Sequence, residues 1–164
     1  MSSTALSSRN SSGISGLCGR FAHYADFLQS PFLLLVRLYW GWQFAQTGWG
    51  KLHNIGRVKD LFVSLNIPAP AVMAPAISML EFVGGILLIV GLGSRLISLL
   101  LAGNMFVAYV TADREALGSV FSDPGKFYIA DPFTFLFASL IILVFGAGLF
   151  SLDALIARRN KTAV

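Results

Sequence analysis

The chain has 164 residues, of which 55% are hydrophobic and only 12% charged, and its mean hydropathy is +0.72. A water-soluble domain carries roughly a quarter of its residues as charges, so this composition excludes an ordinary soluble domain and turns most of the surface to lipid. The net charge of +4 does not point to nucleic acid, because the basic residues sit between apolar spans rather than on one basic face interleaved with aromatics.

Residues 1–28 read as a disordered or interfacial tail rich in Ser and Gly. The tail lacks the apolar run of about 7–15 residues found in a cleavable signal. It holds Cys18, the chain's one cysteine, which leaves no internal disulfide, CxxC pair, iron–sulfur cluster or structural zinc site. A four-helix membrane domain is expected over residues 29–153, followed by a basic tail over 154–164. A crossing helix needs about 20 mostly apolar residues. The first runs from Pro31 to about Gly50, with proline suited to a helix start. The second runs from Ala71 to Leu92, the third from Arg95 to about Thr111, and the fourth from Pro132 to near Phe150. Backbone groups in lipid must be satisfied internally, and no segment alternates like a barrel strand. The expected fold is therefore all-α, an antiparallel four-transmembrane-helix bundle.

Between the first two spans, Val58, Leu61, Phe62 and Leu65 recur at helical spacing, predicting a short amphipathic helix. It either lies in the headgroup plane or caps the bundle. The connection from Asp113 to Asp131 is polar, with Phe127 and Tyr128 placed for the interface. Four spans put both termini on one side. That side holds six bases (Arg9, Arg20, Arg95, Arg158, Arg159 and Lys161) against five on the other, a slight preference for cytoplasmic termini.

Two ionisable residues fall at bilayer depth, where charge is expensive and marks a pairing or functional role. They are Arg37 and Glu81. Arg37, Gly41, Phe44, Gly48 and Lys51 share one helical face. Ala74, Ser78, Glu81, Gly85 and Leu88 form a matching face, and small residues on such seams admit close backbone approach. A buried Arg37–Glu81 pair between the two spans is the expectation, either as a clamp alone or as the wall of a pocket. Further candidates for ligand binding are Trp40, Gln43, Gln46, Lys51, Asn104 and Tyr109. Gln46 lies half a turn from Arg37, so it suits a contact with another subunit. Trp40, Trp42, Trp49 and Tyr39 read first as interfacial anchors or packing and only second as a ligand box. His23 and His53 lie outside the spans, which excludes buried bis-histidine haem. A single carboxylate within the spans leaves no metal site. Proton-coupled export would use a glutamate such as Glu81, but an arginine partner would hold it charged.

The stretch from Gly41 through Phe44 and Gly48 to Lys51-Leu52 is similar to G-x-x-F-x-x-x-G-x-x-K-L of the DoxX family. Glu81, Gly84-Gly85, Leu88, Gly91 and Arg95 are similar to that family's E-x-x-G-G-x-x-L-x-x-G-x-x-x-R. Thr47 stands where many relatives carry histidine. The chain thus resembles the DoxX family of small four-helix membrane proteins, some of which look like membrane subunits of thiosulfate:quinone oxidoreductase. The resemblance implies a multi-pass protein of the inner (cytoplasmic) membrane in a quinone-linked oxidoreductase assembly. It implies no covalent cofactor, a quinone as ligand, and an oxidoreductase partner that holds the redox centre. In that assembly Arg37 and Lys51 would orient a quinone carbonyl or an anionic substrate, with Glu81 holding Arg37. A non-enzymatic scaffold or assembly factor is the alternative, and a small-molecule transporter the third.

Overall fold

The computed structural model describes residues 7–161, with side chains from Phe27 to Asn160. Readings of residues 1–6 and 162–164, and of the side chains of Cys18, His23, Arg9, Arg20 and Lys161, fall outside that description. Among the described residues the fold is all-α, with eight helices and no strand. These are α1 Ser7–His53, α2 Ile55–Ser64, α3 Pro70–Val90, α4 Ser94–Thr111, α5 Arg114–Gly118, α6 Pro124–Ile129, α7 Pro132–Phe145 and α8 Leu152–Lys161.

α3 and α4 are long and apolar enough to cross a membrane, while α7 is apolar but shorter. α1 packs along α3, and α4 along α7. The core between them is built from Val36, Phe44, Leu88, Leu101, Met105 and Ile142. Two glycines set the spacing of the α1–α3 pair. A β-carbon on Gly85 would come within 2.5 Å of the Ala45 nitrogen and the Gly41 oxygen, and one on Gly48 would strike the Phe82 backbone. The backbones therefore touch, as small-residue seams between membrane helices permit.

Three boundaries differ from the sequence reading. The expected disordered tail is helical from Ser7 and continuous with α1, which passes through Pro31. Extending a helix that already exists avoids the cost of nucleation, and proline keeps a helical φ while losing one hydrogen bond. The fourth long helix stops at Phe145, where Gly146 takes φ +80, rather than continuing to Phe150. The expected basic tail is the helix α8. The amphipathic segment is helical as expected, and its Val58, Phe62 and Leu65 turn toward a cavity shared with α1, α3 and α4. None of the α2 side chains is buried, so the segment forms an open wall of that cavity.

Candidate functional site

The bundle has two dissimilar ends. At one, the turn Gly91–Gly93 joins α3 to α4, and the non-helical segment 146–151 lies against it. Arg37 is buried here, only 1% exposed. Its guanidinium donates to the carbonyls of Ala147 (2.5 Å), Phe150 (2.8 Å) and Ile89 (3.4 Å). A break after α7 leaves carbonyls without intrahelical partners, and the planar guanidinium supplies several donors from one group. A side chain on Gly91, at φ +77, would collide with Arg37 and Ser151. Asp153 completes the junction: Oδ1 accepts from the Gly93 N–H at 2.8 Å and Oδ2 from the Ser94 N–H at 2.9 Å. A carboxylate from a distant helix thereby caps the start of α4.

The expected Arg37–Glu81 pair does not form, although both residues are buried. The close approaches at Gly41, Gly48 and Gly85 set the register of α1 against α3, and in that register Arg37 meets Ile89. Ile89 lies eight residues beyond Glu81, about 12 Å along a helix. The partner of Glu81 is instead Lys51, whose Nζ donates to Oε1 at 2.7 Å and to Oε2 at 2.6 Å. Asn104 Nδ2 donates to Oε1 at 2.9 Å. The Glu81 side chain is 1% exposed and that of Lys51 39%, so the pair reaches from the core to the wall of an open space.

That space is a cavity of about 600 Å³ on the side of the bundle away from the Gly91 turn. Its polar floor is Gln43, Gln46, Thr47 and Lys51 from α1, Glu81 from α3 and Asn104 from α4. Its walls are mostly apolar, with Phe62 and Leu65 from α2 and Phe135 from α7 among them. Its charged residues are Lys51, Glu81, Asp113 and Asp131, one cation against three carboxylates. Among the described residues the amides of Gln43 and Gln46 make no hydrogen bond. One Lys51 N–H and one Asn104 N–H also remain uncommitted. The site therefore presents several donors to a mostly apolar volume.

Of the residues singled out in the sequence, Gln43, Gln46, Lys51, Glu81 and Asn104 meet at this cavity. Arg37, Trp40 and Tyr109 do not. Trp40 packs against the core cluster. Tyr109 is buried, donates to the Phe127 carbonyl at 2.7 Å and stacks on that ring. Gln46 is exposed and lines the cavity. Asp113 and Asp131 escaped notice as site residues because nothing local distinguishes them from loop charges; only the folding of both connections over the cavity mouth brings them in.

The sequence model of the DoxX family, described as DoxX, matches residues 32–114, about half of the chain. Comparison with curated proteins and with solved structures gives no significant match. The matched span contains Gln43, Gln46, Lys51, Glu81 and Asn104, and ends just past Asp113.

Proposed function

The chain belongs to the DoxX family and is a membrane protein, and on that basis we propose that it is the membrane subunit of a quinone-linked oxidoreductase. The redox centre then belongs to a partner subunit. α1, α3, α4 and α7 all cross the bilayer of the cytoplasmic membrane, with both termini on the cytoplasmic side. Exposed apolar side chains on each of the four, such as Leu35, Val83, Phe106 and Phe137, support this arrangement. A tilted α1 and the linker after α7 make up the length that α7 alone does not supply.

One observation supports the ligand assignment: among the described residues the only cation lining the cavity, Lys51, is already paired with Glu81, while donors remain beside it. An anion entering would meet Asp113 and Asp131 without an unpaired cation to compensate, so the anionic-substrate option loses its support. A quinone headgroup is neutral, apolar and bears two acceptor oxygens. When bound it would supply two-electron acceptor chemistry. The residues would orient it: the remaining Lys51 N–H donates to one carbonyl oxygen, and the Gln43 or Asn104 amide to another acceptor. Glu81 holds the ammonium in position. Phe62, Leu65 and Phe135 exclude water from the ring. Proton-coupled transport through Glu81 stays disfavoured, now because both carboxylate oxygens are already engaged by Lys51 and one of them also by Asn104.

The test is purification in mild detergent followed by solvent extraction of co-purifying lipids. We expect a quinone in the extract, and about tenfold less of it from Lys51→Met, a loss of roughly one charge-assisted hydrogen bond. Absence of quinone from the wild-type extract, with no quinone-dependent activity in native membranes, overturns the assignment. If Glu81→Gln accumulates normally and native membranes keep full redox function, the scaffold reading takes its place.

A further inference from the structure

The Gly91–Gly93 turn joins two helices that are each long and apolar enough to cross a membrane, so it lies at a membrane surface. Asp153 ties the first turn of α8 to that turn through Gly93 and Ser94, and its own N–H donates to the Gly91 carbonyl at 3.0 Å. α8 is therefore held at the boundary between lipid and water. Leu152, Leu155 and Ile156 are exposed on it at i, i+3 and i+4, and the exposed Arg158 and Arg159 follow. An apolar stripe beside a cationic end is the composition of a helix lying in the headgroup layer.

Next to α8, between the turn and the segment after α7, a groove of about 440 Å³ opens at the surface. Arg95 stands on its wall together with Leu96 and Phe145, both exposed apolar residues. The groove thus offers a guanidinium at headgroup depth and apolar side chains just below. Its only carboxylate among the described residues, Asp153, is occupied by the two backbone N–H groups it caps.

We propose that this groove and α8 together form a binding site for an anionic phospholipid. Arg95 pairs with the phosphate, an acyl chain runs along Leu96 and Phe145, and Arg158 and Arg159 attract the anionic headgroup across the site's outer edge. The inference needs only that the chain sits in a membrane. It is independent of what fills the cavity at the other end.

The experiment is native mass spectrometry of the full chain released from nanodiscs of phosphatidylcholine with a minority of phosphatidylglycerol. We expect phosphatidylglycerol to be retained in preference to phosphatidylcholine, and Arg95→Gln to lower its retention about fivefold, as does each of Arg158→Gln and Arg159→Gln. Arg95→Lys, which keeps the charge, should retain the lipid, and guards against a folding defect in the glutamine variant. Equal retention of the two lipids overturns the proposal. So does unchanged retention in all three glutamine variants, or displacement of the lipid by inorganic phosphate, which would show an adventitious anion site.

Discussion

Arg37 and Glu81 are the buried charged side chains among the described residues, and they act separately. Arg37 serves carbonyls that the helical geometry leaves without donors, at the C-terminal ends of α3 and α7 where the helix dipoles also favour a cation. Arg37→Met should strand three acceptors at about 1–3 kcal/mol each, and the protein should fail to accumulate in membranes by immunoblot. Arg37→Lys, with fewer donors, should recover part of the yield. For the cavity floor, the double substitution Lys51→Met/Glu81→Gln should cost less than the sum of its parts by about 1–3 kcal/mol, read as midpoints of thermal unfolding in detergent. An additive result would mean that the two side chains do not stabilise one another. The importance of both charges was legible in the sequence, because an ionisable residue amid 20 apolar ones is conspicuous. Their partners were not. Pairing depends on the offset between two helices, and in the observed register Arg37 meets Ile89, about two turns beyond Glu81.

The seam of small residues was fully readable: Ala74, Ser78, Glu81, Gly85 and Leu88 are buried together, as their spacing implied. The amphipathic segment was readable as a helix, but not the direction of its apolar face, since lipid and a cavity wall demand the same residues. The junction between α7 and α8 was missed altogether. Glycine at 146 and 148 permits the break, yet glycine is common in membrane helices, and only the convergence of Arg37 and Asp153 shows that the chain turns there. Asp153→Ala should destabilise the start of α4 by about 1 kcal/mol, seen as faster amide exchange at Ser94–Ile97 with the cavity floor unaffected.

The whole molecule divides into a closed end and an open one. Backbone atoms, Arg37 and Asp153 hold together the end with the Gly91 turn, whereas α2 and the residues Asp113 and Asp131 line the cavity at the other. On the proposed topology of four crossings with cytoplasmic termini, these ends lie on opposite sides of the bilayer. In a Cys18→Ser background, Arg158→Cys should therefore react with a membrane-impermeant thiol reagent only from the cytoplasmic side, and Ser122→Cys only from the other. Labelling of both from one side would remove a crossing and with it the topology. The family and its membrane habit followed from a motif spread over α1 and α3, which is why they survived errors in helix boundaries and in pairing.

The neutral floor of the cavity also bears on how the protein behaves in an energised cell. Glu81 lies ten residues from the Gly91 turn, about 15 Å and so roughly half-way across the hydrocarbon. A lone charge moved across the whole bilayer exchanges about 2.3 kcal/mol with a potential of 100 mV. Lys51 and Glu81 are opposite charges in contact, so the work done on one is nearly cancelled by the other. Occupancy by an uncharged ligand should then be indifferent to membrane voltage, leaving the site equally receptive in a respiring cell and in a de-energised one.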